Sequence, residues 1–257
     1  MSWGGHWNRK EWENASPLFY LIWEELLTAS DELLNSCNGC NLEGALYVAS
    51  AHGHTHLVQK LLSCDADVNA QGGKYGNALL AAVAAGNEGI VNVLLEKGAD
   101  VNAQVGQYGN TLLAVVAAEN EGIVNVLLGN GADVNAQANV NAQGGFYSNA
   151  LQAAVARRNE GIVNILIEKG ADVNAQGGKY GNALQAAVAR QNEGIVNVLL
   201  KNGADVNAQG GKYGNALLAA VARQNGGIVN VLLEKGADVN TQDGKYGNAL
   251  QAVTEEK

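Results

Sequence analysis

Tyr75-Gly76-Asn77-Ala78-Leu79-Leu80-Ala81-Ala82-Val83 opens a unit that the chain goes on to repeat. The Asn of this phrase recurs at 77, 110, 149, 182, 215 and 248, in steps of 33, 39, 33, 33 and 33 residues, and only Ser148 breaks the preceding Gly. A period of this size marks a small supersecondary unit that has been copied and stacked, each copy burying its apolar face against its neighbours. Such a stack offers a long repeated surface more readily than one enclosed reaction pocket.

Within a unit, Asn77 predicts the cap of a first helix through Ala78–Val83, whose small residues allow close packing. Gly86 and Asn87 interrupt it. Asn87 then starts a second helix, with Glu88 in its first turn and Ile90, Val91, Leu94 and Leu95 as the buried stripe. Gly98 ends that helix. Ala99-Asp100-Val101-Asn102-Ala103-Gln104 reads as an extended segment and tight turn leading out to Tyr108 and the next unit. Near the start, Ser16-Pro17 is a helix-start signal, and Leu18, Ile22, Leu26 and Leu27 keep helical spacing. Residues 1–40 are therefore expected to be an N-terminal segment with a capping helix. Residues 41–257 are expected to hold about six repeats and a terminal first helix, with a six-residue insertion near 138–143 that almost copies the preceding phrase.

The formal charge of -9 argues against general affinity for nucleic acid or an anionic membrane. Three cysteines make a secreted disulfide framework an unsuitable reading and point to a reducing compartment, cytoplasmic or nuclear. The apolar run Leu18–Trp23 stops at Glu24 and Glu25, too short to span a bilayer. A monomer is the expected state.

The phrase Gly-Ala-Asp-Val-Asn-Ala stands at 98–103, 131–136, 170–175 and 203–208, and at 236–241 with Thr241 last. The opening unit carries Ala51-His52-Gly53-His54 and Leu57-Val58-Gln59-Lys60-Leu61-Leu62. On these residues the chain resembles the ankyrin-repeat family across about 41–257. The resemblance implies an all-α solenoid of stacked helix-turn-helix units with extended turn fingers. Where the family has Thr-Pro-Leu-His, this chain has Asn-Ala-Leu-Leu or Asn-Ala-Leu-Gln, and Asn caps a helix as well as Thr does. The variant phrase resembles arrays of filamentous fungal proteins, in which such repeats serve as recognition segments of larger proteins.

Ankyrin arrays bind with the turn tips and the exposed side of the first helix, which line a concave groove. Carried onto this sequence, that pattern places Lys74, Gln107, Phe146, Lys179, Lys212 and Lys245 at the tips, and Ala85, Ala118, Arg157, Arg190 and Arg223 along the helices. A Tyr ladder runs beside them through Tyr75, Tyr108, Tyr147, Tyr180, Tyr213 and Tyr246. Counting Arg158, these positions hold 8 of the 16 Lys and Arg residues. Glu88, Glu96, Asp100, Glu121, Glu160, Glu168, Glu193 and Glu234 fall instead on the second helix or its exit. A positive groove on a negative protein is the expectation, with a polar or acidic protein or peptide as partner. Lys179, Arg190, Lys212 and Arg223 are its central contacts. Two plainer readings compete: exposed Lys and Arg as solubilising charge, and one Tyr per unit as a repeated contact between neighbouring turns. The insertion ahead of Phe146 reads equally as a lengthened binding finger or as a slipped duplication.

Cys37, Cys40, His52 and His56 approximate a zinc-finger spacing. A helix over residues 44–51 would hold the cysteines and histidines ~12 Å apart, so neither a metal nor a cofactor is expected. The recurring Gln-Gly-Gly-Lys-Tyr-Gly lacks the spacing and trailing Ser or Thr of a phosphate-binding loop, and no Gly-x-Ser-x-Gly elbow occurs. No enzymatic activity is expected. The alternative is a small-molecule binder or unusual biosynthetic enzyme. It would use the irregular stretch at Phe146, Tyr147 and Arg157, or the N-terminal region containing His6, His52, His54 and His56 and Trp3, Trp7, Trp12 and Trp23.

Overall fold

The computed structural model describes residues 41–104, 109–137 and 147–241. The expected capping helix, Cys37 and Cys40, the four Trp residues, the insertion near 138–143, Phe146, Lys245 and the terminal first helix lie outside the described residues.

Twelve helices form among the described residues, alternating as first and second helices. They are α1 (Leu42–His52) with α2 (Thr55–Ser63), α3 (Ala78–Ala85) with α4 (Glu88–Glu96), and α5 (Thr111–Ala118) with α6 (Glu121–Gly129). The series continues with α7 (Ala150–Arg157) and α8 (Glu160–Glu168), α9 (Ala183–Ala189) and α10 (Glu193–Lys201), and α11 (Ala216–Ala222) and α12 (Gly226–Glu234). The all-α repeat architecture expected from the sequence is the one observed.

Asn at the predicted caps explains where the first helices start. Asn77, Asn110, Asn149, Asn182 and Asn215 accept from the backbone N–H three residues on, at 2.7–2.9 Å, in buried surroundings. Asn120, Asn159, Asn192 and Asn225 do the same for α6, α8, α10 and α12. Asn87 departs from the expectation. It occupies the start of α4 without a side-chain cap bond, because its Nδ2 donates instead to the Ser50 carbonyl of the preceding unit at 3.1 Å. The first helices of the opening units end at Gly53 and Gly86, whose φ values of 83° and 75° suit a residue without Cβ. Later units hold the same left-handed turn with Glu119, Arg158, Gln191 and Gln224.

The chain divides into two compact units, Met1–Ala114 and Val115–Lys257. In the first, α1 packs on α2 and α3, and α3 on α4. In the second, α7, α9 and α11 lie side by side in one layer and α6, α8, α10 and α12 in another. The inner layer is buried on nearly all sides, which is why α9 reads Ala-Leu-Gln-Ala-Ala-Val-Ala with every residue buried. The second helices bury one stripe, as in Ile195, Val196 and Leu199, each 0% exposed. Burial of each such side chain stabilises by about 1.5–3 kcal/mol.

Within each compact unit, neighbouring repeats are also tied through the Asp-Val-Asn phrase. Asn174 donates from Nδ2 to the Gly203 carbonyl at 3.0 Å, and its Oδ1 accepts from the Asp205 N–H at 2.8 Å. Asn135 and Asn207 repeat the clamp in the second compact unit, and Asn69 in the first. The Asp two residues earlier fixes the turn, its Oδ1 accepting from the Asn N–H, as Asp172 does from Asn174 at 2.9 Å.

Candidate functional site

The turn fingers are short and glycine-built. Gly177 N–H to Gly181 carbonyl and Gly210 N–H to Gly214 carbonyl, both 2.7 Å, close three-residue tips that present Lys179 with Tyr180 and Lys212 with Tyr213. Gly72 and Gly76 close the finger that carries Lys74 and Tyr75 at 2.8 Å. Neighbouring tips in the second compact unit touch backbone to backbone, because the Lys212 N–H donates to the Lys179 carbonyl at 3.0 Å. Gly211 makes this possible: its φ is +66°, and a Cβ there would run into the Tyr180 carbonyl.

Behind the fingers, Gln152 and Gln185 are each 1% exposed and reach from the first helix into the next finger. Gln152 donates to the Ala175 carbonyl at 3.2 Å, and Gln185 to the carbonyls of Ala208 and Gly214 at 3.0 and 3.2 Å. Tyr47 holds the same place in the opening unit. Its ring covers Gly73 and its hydroxyl accepts from the Tyr75 N–H at 3.2 Å. Sequence reasoning treated this position only as a departure from the family tetrapeptide; the swap between Leu and Gln in an otherwise constant phrase was the signal available.

The predicted cations assemble around the predicted tyrosines. Lys179 Nζ lies 5.9 Å from the Tyr180 ring centre, and the Arg190 guanidinium is also 5.9 Å from it. Lys212 and Arg223 stand over Tyr213 at 5.1 and 5.7 Å. Arg190 further donates to the Tyr147 hydroxyl of the preceding unit at 3.4 Å. Lys179, Tyr180, Arg190, Lys212, Tyr213 and Arg223 thus share one face of the second compact unit. The first unit has a reduced version, Lys74 at 5.5 Å over Tyr75, with Ala85 at the position that Arg190 and Arg223 hold. Tyr213 is only 3% exposed, so its ring is chiefly a support on which the cations rest.

Arg157 stands apart from this set. It pairs with Glu119 at 3.4 Å, both side chains nearly half exposed, an arrangement of small energetic weight that nonetheless offsets its charge. Its neighbour Arg158 donates to the Arg190 carbonyl.

The acids are drawn elsewhere. A Cβ added to Gly161 would collide with the Glu121 carboxylate, and Cβ atoms on Gly194 and Gly227 would lie beside those of Glu160 and Glu193. Glu121, Glu160 and Glu193 therefore lean on the start of the next second helix, where the helix dipole favours negative charge. Among the described residues, Arg190, Lys212 and Arg223 meet no carboxylate within ion-pair distance.

His52 is the last residue of α1 rather than a residue beyond it, and it stacks on His54 at 6.1 Å. No group of three metal-ligating side chains occurs among the described residues.

A family model described as ankyrin repeats (3 copies) matches residues 18–105, 46–138, 113–210 and 179–243. This chain belongs to the ankyrin-repeat family. The crystal structure of the human ASB11 ankyrin repeat domain is similar to it, with a TM-score of 0.68 and 25% identity over 82% of this chain and 92% of that one. Comparison with curated proteins finds no match. Ankyrin repeats generally mediate protein–protein interaction, and their fold is typically non-enzymatic. No helix of the described residues is long and apolar enough to cross a membrane.

Proposed function

We propose that this ankyrin array is a recognition module that holds a polar or acidic segment of a partner protein against its finger and first-helix face. One observation carries the reading: Arg190, Lys212 and Arg223 are gathered on tyrosine rings while the nearby carboxylates lean onto helix starts. Like charges held together without an acid repel, and an incoming carboxylate relieves that repulsion while accepting charge-assisted hydrogen bonds. The net charge of -9 adds specificity, since an acidic partner is repelled elsewhere and steered to this face. Phe146 and Lys245 are further members of the binding set by sequence pattern, and Lys74 is the corresponding cation of the first compact unit. In this reading residues 1–40 cap the array and the protein acts as a monomer in a reducing compartment, without cofactor or catalysis.

A fluorescein-labelled oligoglutamate peptide tests the proposal. Its dissociation constant, measured by anisotropy, is expected to rise steeply from about 0.01 M to about 0.15 M ionic strength. Affinity that ignores salt would remove electrostatic recognition from the account.

A further inference from the structure

Resting on the proposed acidic partner, we infer that the segment bound is extended and carries an acid at every second residue, one for each Lys-Tyr-Arg set. The spacing of the tips is the reason. Lys212 N–H bonds directly to the Lys179 carbonyl at 3.0 Å, so with standard backbone bond lengths the two Cα atoms are at most about 7 Å apart. Two residues of an extended strand advance about 6.4–6.8 Å, and their side chains point the same way. The alternation that points one set of side chains at the cations points the other set away, so the intervening residues are free of charge constraint.

The pitch is rigidly held. Gly211 admits no side chain against Tyr180, Gly181 has the Gly210 carbonyl beside it, and Gln185 pins the base of the next finger. Lys212 and Arg223 both rest on Tyr213, which is buried, so this cation pair is preorganised for one carboxylate rather than spread over several. The Arg side chains sit at the ends of packed helices, whose axes in general stand 8–10 Å apart. The Lys row therefore sets the repeat that an extended chain follows, and the Arg row closes on each acid from the side.

The experiment uses the full chain and three labelled peptides of identical composition, six Glu and six Thr. One alternates Glu and Thr, one places all Glu before all Thr, and one spaces Glu at helical i, i+4 intervals. The alternating peptide is expected to bind at least about tenfold more tightly than the i, i+4 isomer, in which no two Glu stand two residues apart, a difference equal to about 1.4 kcal/mol. The block peptide, whose Glu run also holds acids at every second residue, is expected to bind between the two. K179Q/K212Q, checked for native helicity by circular dichroism, is expected to erase that preference. Equal salt-sensitive binding of all three peptides would overturn the extended register and leave acidic recognition standing; preference for the helical isomer would overturn it in favour of a helical partner. Absence of binding by any peptide would overturn both readings.

Discussion

Replacing Asn182 by Ala isolates the substitution by which this chain departs from the usual family phrase. Asn182 is 2% exposed and its Oδ1 accepts from the Gln185 N–H at 2.8 Å, so the amide loses its partner where water cannot replace it. A lost N-cap costs about 1 kcal/mol, and leaving a buried donor unsatisfied costs about 1–3 kcal/mol, so a loss near 2 kcal/mol is expected. For a chain of this size that corresponds to a fall of about 4–8 °C in melting temperature. Asn182→Thr restores an acceptor and should recover most of the loss. Urea and thermal unfolding followed by circular dichroism measure the effect, and amide exchange at Gln185 locates it. A change under about 0.5 kcal/mol for Asn182→Ala, or equal losses for Ala and Thr, would refute the reasoning that capping by this side chain defines the helix start.

Three other outcomes follow from the backbone. Gly211→Ala forces a Cβ onto the Tyr180 carbonyl at φ +66° and should destabilise by more than about 1 kcal/mol in a urea melt. Gly89→Ala, in α4 with no heavy atom within 4 Å of the added Cβ, should stabilise by about 0.5–1 kcal/mol in the same assay. Gln191→Gly and Gln224→Gly place at φ 57° and 54° the residue that the opening units use there, and differential scanning calorimetry should show each gaining up to about 1 kcal/mol.

Much of the fold was legible because a repeat displays its own logic several times over. Asn before Ala-Leu or Thr-Leu marked the first helices from α3 onward, and Gly98 with its equivalents marked the ends of the second. What escaped was interaction between copies. Asn87 has the local sequence of a cap, yet its amide is taken by Ser50 in the preceding unit, a contact no window of that unit contains. Asn174 and Gln185 read as turn and helix residues, whereas their amides bridge to the following unit. The candidate surface was partly legible in the same way. The ladder of Lys, Tyr and Arg put cations and rings at a common place in successive repeats, but Arg157 pairs with Glu119, thirty-eight residues away, and only packing discloses it.

The most direct measurement compares two charge reversals of equal size in their affinity for oligoglutamate. R190E/R223E alters the face where cations rest on tyrosines, and K201E/K235E alters the exits of α10 and α12 in the other layer. The account predicts at least about a tenfold loss of affinity for the arginine pair and little change for the lysine pair, since local charge contacts rather than total charge hold the peptide. Equal losses from both reversals would contradict it.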